Sequence, residues 1–179
     1  AYFYQRDTAF DRGNRSHSTW RVYMIVYRFT SEKYRDDISG AGARLYGGRW
    51  NSKGNAVLYC SMTISLSLLE LLIHKASYDE IKTNLLLSIK VPDTAMKTLS
   101  DNGLKKSWQS DIDYCRFIGD SWLGSGESLL LKIPSAIIPQ EYNVLVNPAH
   151  PDFKRVSIVS AHFFEFDARL FKQVPLAET

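Results

Sequence analysis

The chain has 179 residues and a net charge of +3, and 45% of its residues are hydrophobic. This length and apolar content are typical of one domain with a buried core, and so small a positive charge does not by itself indicate nucleic-acid binding. Two cysteines are too few for a disulfide scaffold. The apolar runs are too short to span a bilayer, and the first residues lack the pattern of a secretory signal. We therefore expect a cytoplasmic protein with no membrane association.

The first residues differ from the rest of the chain. Residues 1–23 lack a clear helical or strand period, whereas the segment MIVYRF that starts at Met24 is strongly apolar. We interpret 1–23 as an N-terminal extension, which is tag-derived, translated from upstream sequence or a native arm, and 24–179 as the single domain. The β-branched and aromatic residues of Arg21–Phe29 predict a first strand across this boundary.

Up to Pro92 the pattern predicts a loop, a strand, a helix and a strand. Residues 39–55 hold five glycines and predict a long loop. Ala56–Cys60 predicts a short buried strand, and Thr63–Ala76, which is apolar almost all round, predicts a buried helix. Leu85–Val91 predicts a strand that ends at Pro92.

The second half of the chain has more strands than helices. It predicts a helix at 111–123, a strand at Ser128–Ile133 that stops at Pro134, an extended segment at Asn143–Val146, and one or two strands within Arg155–Phe166. Because the order of strands and helices is mixed, we predict an α+β fold with a compact mixed sheet and flanking helices.

The sequence lacks the familiar nucleotide-binding and metal-binding motifs. Gly40 and Gly42 lack the third glycine of a Rossmann fingerprint, because Leu45 occupies its position. The segment GSGES that starts at Gly124 lacks the Gly-Lys-Ser/Thr ending of a Walker loop. The four histidines and two cysteines show no spacing of metal ligands, so no metal is expected.

Glu70 is the strongest single indication of a functional residue, because it interrupts the apolar helix as LLELL. A carboxylate in such surroundings is costly unless it is paired or hydrogen-bonded. It can serve a structural ion pair, reach solvent at the edge of the helix, or point into a functional cleft. The residues around it do not decide between these readings.

Two arginines could hold an anion. Arg28 lies near the end of the first strand, and Arg49 lies inside the glycine-rich loop, where backbone N–H groups can approach a ligand closely. Either arginine could instead be an ordinary solvated residue.

Several other side chains could contribute to the same site. Tyr46 and Tyr59 could stack on a planar ring, whereas Trp50 is expected to pack in the core. Ser135 follows a predicted buried strand, where its hydroxyl could face a ligand or cap a turn.

Taken in order, these segments resemble the RES-domain toxins, the toxic partners of Xre-type antitoxins in bacterial type II toxin–antitoxin pairs. The resemblance rests on Arg28, GGRWNSKG at 47–54, VLYCS at 57–61, LLELL, and IPSAIIPQEYNVLVNPAHPDF at 133–153. The Arg, Glu and Ser that give this family its name match Arg28, Glu70 and Ser135, and further site positions match Arg49, Tyr59, Tyr46 and Asn51.

The resemblance implies a fold similar to ADP-ribosyltransferase toxins and NAD as the substrate, with no separate cofactor. It implies cleavage of the nicotinamide–ribose bond by hydrolysis or phosphorolysis, or transfer of ADP-ribose to a protein. Arg28 and Arg49 would then hold the pyrophosphate and the tyrosines would meet the rings. Glu70 would stabilise the transition state, and Ser135 would orient the ribose or the acceptor.

The resemblance also implies a partner, an Xre-type antitoxin that covers the active site, and it allows a homodimer within the toxin–antitoxin complex. Direct nucleic-acid binding by this chain alone is not expected. A module of another class, which binds a nucleic acid or a protein without catalysis, remains the alternative that the basic charge and the aromatic content allow.

Overall fold

The structure, a computed structural model, describes residues 2–7, 19–75, 77–93 and 96–171. The strands are β1 Tyr2–Asp7, β2 Thr19–Ser31, β3 Leu58–Ser61, β4 Asn84–Pro92, β5 Lys97–Thr98, β6 Leu130–Pro134, β7 Tyr142–Val146 and β8 Ser157–Phe163. The α-helices are α1 Ala41–Tyr46, α2 Ile64–His74, α3 Tyr78–Ile81 and α4 Ile112–Ser125. This architecture confirms the predicted α+β fold with a mixed sheet and flanking helices.

The strands form one sheet in the order β5-β6-β7-β3-β2-β4-β8, with β1 paired to the first part of β2. The β5–β6 pair is parallel, and the other pairs are antiparallel. In chain order, β2 and β3 flank the glycine-rich segment, so this segment connects two strands that neighbour each other at the centre of the sheet.

Among the described neighbouring strands, β2 and β3 at the centre of the sheet share the fewest residue pairs. β2 pairs with β4 from Tyr23 to Ser31, and all four residues of β3 pair with β7. Between β2 and β3, the register of the described strands contains a single pair, Tyr27 with Ser61. The sheet is therefore built from two blocks that separate beyond this pair, where β2 and β3 have no ladder with each other although each stays paired to its other neighbour.

Two faces of the sheet bury different cores, because successive side chains of a strand alternate between faces. Met24 and Val26 of β2 enter an aliphatic core with residues of β3, β4 and β7. On the other face, α2 covers the Phe29 end of β2 and a cluster around Trp50 packs between α4 and the strands β6 and β7. Trp50 is 2% exposed, as predicted.

The predicted strands and helices are confirmed to within three residues at each end, and two details are wrong. The segment 39–55 is not entirely loop, because it contains α1. Helix α2 is not buried all round, since only Leu66 and Ser67 are buried and Ile73 is 62% exposed. The region Arg155–Phe166, predicted to hold one or two strands, forms one strand, which ends at Phe163. No helix among the described residues has the length and apolar character to cross a membrane.

Helix α4 holds the glycine-rich segment through a close backbone contact. A methyl group on the buried Gly119 would overlap the carbonyl oxygen of Trp50. We expect Gly119→Ala to lower the free energy of unfolding by about 2–3 kcal/mol, because an overpacked contact forces the helix and the segment apart. Urea denaturation measures this loss.

The control for this substitution lies in the same helix. A methyl group on the exposed Gly124 would meet nothing within 4 Å, so Gly124→Ala should stabilise the protein by up to about 1 kcal/mol through helix propensity. Equal stabilities of the two variants would contradict the close contact.

Candidate active site

Glu70 lies at the centre of a polar network on the inner face of α2. Its Oε1 accepts a hydrogen bond of 2.6 Å from Asn143 Nδ2 and one of 3.1 Å from Ser135 Oγ. No described Lys, Arg or His side chain lies within salt-bridge distance of this carboxylate, and no described donor reaches its Oε2. Glu70 is half-buried, and neutral donors hold it, so the structural ion pair is not what the described residues form.

The loop after β6 fastens α2 at two points. Thr63 caps the helix by accepting from Leu66 N–H at 3.1 Å, and its hydroxyl donates to Glu141 at 2.9 Å. At the other end of the same loop, Ser135 contacts Glu70. A helix tied at its N-cap and at its second turn cannot rotate about its axis, so the loop fixes where the Glu70 side chain points.

Ser135 contacts Glu70, and its surroundings differ from those expected for a residue that orients the ribose or the acceptor. Its hydroxyl accepts from the N–H groups of Ile137 and Ile138 at 3.1 and 3.2 Å and donates to Glu70. The side chain is 0% exposed. Because all of its hydrogen-bonding capacity is used inside the protein, the structure does not place it to orient a ribose or an acceptor; it positions Glu70.

Sequence reasoning missed two members of the network, Ser61 and Asn143. Ser61 Oγ donates to Asn143 Oδ1 at 2.6 Å, across the β3–β7 pair in which the two residues stand opposite each other. The available signal was an Asn at the start of an otherwise apolar strand. It was too weak to use, because the partner lies 82 residues away and the register cannot be read from the sequence.

Arg28 stands where the two blocks of the sheet separate. It follows Tyr27, the last residue of β2 that pairs with β3, and its Nη1 donates to the carbonyl oxygen of Tyr59 at 3.1 Å. Its Nε is buried and has no hydrogen-bond partner in the described structure. A buried donor without an acceptor is uncommon, and it marks a place where a ligand oxygen would be favourable.

Asp37 is the acidic neighbour of this arginine. Hydrogen bonds from Ser39 hold the pKa of Asp37 below its ordinary value, and the charge of Arg28 adds to that effect. No described carboxylate lies within salt-bridge distance of Arg28, so its cation is only partly compensated.

Tyr59 and Asn51 belong to the framework of the glycine-rich segment. The Tyr59 hydroxyl donates to Asn51 Oδ1 at 2.8 Å and accepts from Trp50 N–H at 2.9 Å. Asn51 is 0% exposed, and its Nδ2 donates to three backbone carbonyls. The predicted ligand contact of Asn51 is therefore not what this fully buried side chain makes.

Arg49 also ties the segment to the protein. Its Nη1 donates to the carbonyl oxygen of Gln109, and Arg116 and Asp120 of α4 bind the same segment at Gly48 and Ser52. Tyr46 lies at the end of α1 and is 72% exposed, without a described contact to Glu70. The structure thus brings Glu70 and Ser135 into direct contact, links Arg28 to them through β3, and leaves Arg49 and Tyr46 outside the network.

Tyr59→Phe should lower the free energy of unfolding by about 1–3 kcal/mol, because Trp50 N–H and Asn51 Oδ1 would both lose a partner in a buried place. Burial raises the pKa of the Tyr59 phenol, so the hydroxyl stays a donor at neutral pH. The exposed Tyr46 supplies the control, as Tyr46→Phe should leave stability unchanged. Chemical denaturation distinguishes them, and a Tyr59→Phe variant as stable as the control would contradict the framework role.

The site offers a fixed carboxylate, and the adjoining strand β2 carries an arginine with an unpaired donor. A carboxylate held by neutral donors keeps its negative charge for a ligand, and an arginine offers a planar set of donors to an anion. The described residues hold no group of three or more His, Cys, Asp and Glu side chains that could bind a metal ion.

Comparison with known proteins finds relatives that span this fold and this site. Residues 19–167 match the RES domain family. "Toxin Res" of Photorhabdus laumondii is 40% identical over 154 residues, which cover 83% of this chain and 98% of the relative. "Prs ADP-ribosylating toxin" of Sphingobium sp. is 33% identical over 165 residues, which cover 87% of this chain and 98% of the relative.

A solved structure shares the architecture. A chain from the crystal structure of the M. tuberculosis MbcT-MbcA toxin-antitoxin complex matches with a TM-score of 0.64 and 20% identity, covering 83% of this chain and 87% of that chain. This likeness concerns the fold. The family match spans most of the chain and includes Arg28, Glu70 and Ser135. The chain therefore belongs to the RES domain family.

Proposed function

We propose that this chain is the toxin of a toxin–antitoxin pair and that it degrades NAD by cleaving the nicotinamide–ribose bond, by hydrolysis or phosphorolysis. The observation that carries the proposal is the Glu70 carboxylate, which two neutral donors hold through Oε1 while Oε2 has no described partner. Relatives that are named toxins and cover most of the chain support the toxin assignment. Loss of NAD would arrest growth.

The reaction matches a site with one carboxylate. The nicotinamide nitrogen is positively charged while it is bonded to the ribose. When the bond breaks, its electron pair stays on nitrogen and nicotinamide leaves as a neutral molecule, so the second carboxylate of ordinary glycosidases, which protonates the leaving group, is not required. Water or phosphate then bonds to the ribose carbon, and water releases its proton to solvent.

Glu70 would act electrostatically in this step. The ribose carbon becomes oxocarbenium-like as nicotinamide departs, and a preorganised negative charge nearby stabilises it most in the transition state. Because no described cation neutralises Glu70, its charge remains available. Stabilisation of the ribose is thus the role proposed for its second oxygen.

Arg28 would bind the anionic part of NAD. A guanidinium holds phosphate oxygens with several hydrogen bonds at once, and one nitrogen of Arg28 already lacks an acceptor. The position of Arg28 beyond the last β2–β3 pair would allow NAD to lie where the two blocks of the sheet separate.

The partner that we propose is an Xre-type antitoxin that covers the active site. The structure from M. tuberculosis that shares this fold is of a toxin–antitoxin complex, which supports an antitoxin partner for this chain. A homodimer within such a complex remains a prediction.

A second candidate function is transfer of ADP-ribose to a protein. The name of the Sphingobium relative, an ADP-ribosylating toxin, favours it. The bond that breaks is the same, and only the acceptor differs, since a protein nucleophile would take the place of water or phosphate.

Incubation of the purified protein with labelled NAD, with and without inorganic phosphate, tests the proposal through its products. ADP-ribose with nicotinamide indicates hydrolysis, phosphorylated ADP-ribose indicates phosphorolysis, and label on a protein band indicates transfer. NAD that survives incubation with the folded protein, together with salt-dependent RNA or DNA binding, would contradict the proposal and favour the non-catalytic module.

A further inference from the structure

We infer that Ser61 and Asn143 are positioning residues that lock the orientation of the Glu70 carboxylate; the inference rests on the proposed function and names how its central residue is held. Neither residue was among the site positions that the sequence indicated. Both lie in the sheet, on β3 and β7, whereas Glu70 lies on α2. The register of the β3–β7 pair therefore determines where the Glu70 side chain of α2 is held.

The chemistry of the three side chains fixes the direction of each hydrogen bond. An ionised carboxylate only accepts, so Asn143 must present its NH₂ group to Glu70. Its carbonyl oxygen then faces away and needs a donor, which the Ser61 hydroxyl supplies at 2.6 Å. If Ser61 lost its hydroxyl, the amide would lose the contact that holds it in this orientation.

Ser135 holds the same oxygen of Glu70 from the loop after β6. Because its oxygen already accepts from two backbone N–H groups, its proton is directed to Glu70. Both donors converge on Oε1, and Oε2 is left toward a ligand. Two hydrogen bonds to one oxygen restrict rotation of the carboxylate, which helps to keep the other oxygen in place when the ribose carbon gains charge.

Few other charged groups lie near this network. Glu141 accepts from Thr63 at the start of α2, Arg28 donates to the Tyr59 carbonyl two residues before Ser61, and Lys132 of β6 lies over the Tyr142 ring. None of these three groups, nor the exposed His74 one turn beyond Glu70 on α2, forms a described ion pair with Glu70. A carboxylate introduced at position 143 would therefore face Glu70 without compensation from a described neighbour.

The first test is Ser61→Ala, measured by steady-state NAD consumption. We expect kcat to fall about tenfold, the effect of one buried hydrogen bond, and KM to change less than about twofold, because the phosphate contacts are elsewhere. Ser61→Thr keeps a hydroxyl and should restore most of kcat. Ser65→Ala, on the exposed side of α2, is the matched control.

The second test is Asn143→Asp, which replaces the donor by a like charge. At alkaline pH the two carboxylates repel and activity should be nearly lost. As pH falls, one proton shared by the pair restores a donor, so kcat relative to the wild type should rise. A residue with only a structural role would give a constant ratio of kcat at every pH.

A double-mutant cycle of Asn143→Ala and Glu70→Ala in urea unfolding needs no NAD and should show non-additive losses of stability. If the wild type consumes no NAD, the proposed function fails and this cycle still decides the inference. Additive losses would overturn it. So would wild-type kcat in Ser61→Ala together with an unchanged pH profile in Asn143→Asp.

Discussion

Glu70→Gln is expected to slow nicotinamide release by about 10²–10³-fold, the loss typical of removing one preorganised group that stabilises charge in the transition state. Glutamine has the same shape, and its carbonyl oxygen can accept from Ser135 and Asn143 as Oε1 does. Only the position of Oε2 changes, from an anionic oxygen to an NH₂ group. The rate loss therefore reports on the charge and not on a damaged network.

Glu141 supplies the matched control. It is a second carboxylate tied to α2, and it accepts from Thr63. Glu141→Gln should keep the rate of nicotinamide release within about threefold of the wild type, because the glutamine oxygen can still accept from Thr63, so the tie on α2 is kept and only a charge that does not contact Glu70 is removed. Thermal unfolding checks that both variants are folded. Equal rates in Glu70→Gln and Glu141→Gln would contradict the role of the Glu70 charge.

Arg28→Lys is expected to raise KM for NAD by about 10–100-fold, since each hydrogen bond to a charged group contributes about 1.5–3 kcal/mol. Lysine keeps the positive charge but lacks the planar donors that reach Tyr59 and a second acceptor together. The expected effect on kcat is smaller, because the pyrophosphate lies away from the bond that breaks.

Arg35→Lys controls for the loss of a guanidinium as such, because Arg35 is exposed and lies outside the network. It should bind NAD like the wild type. An unchanged KM in Arg28→Lys, measured in steady-state kinetics on folded protein, would remove Arg28 from the binding site and leave its bond to Tyr59 as a structural link between the blocks of the sheet.

The strands could be predicted because their signals are local. Arg21–Phe29 and Leu85–Val91 are rich in β-branched and aliphatic residues, and Pro92 and Pro134 mark the ends of β4 and β6. The mixed order of strands and helices then led to the correct fold class. Their pairing, and above all the separation of β2 from β3, depends on contacts between distant segments that no local pattern specifies.

Helix α1 was missed because glycine is a poor helix former. Gly40 and Gly47 flank the helix with positive φ angles of 71° and 73°, so their conformational freedom is used at its two ends. Helix α2 was predicted as buried because it is apolar, although the sheet covers only one side of it. Composition indicates how apolar a helix is, and its neighbours decide how much of it is buried.

The roles of the site residues at a ligand stay predictions. Arg28, Glu70 and Ser135 follow from the resemblance to the family, and the contact between Glu70 and Ser135 agrees with it. The hydrogen bonds of Ser135 and Asn51 could not be foreseen, because burial and partners depend on the folded loop. Ser61 and Asn143 required the β3–β7 register.

The most direct test of the account is the time course of nicotinamide release from NAD by the wild type and by Glu70→Gln, measured side by side on protein shown to be folded. The account predicts that the wild type turns over many equivalents of NAD, with one nicotinamide released for each NAD lost. It predicts that Glu70→Gln does so at least about 100-fold more slowly. Equal rates in the two proteins, or intact NAD after incubation with the wild type, would contradict it.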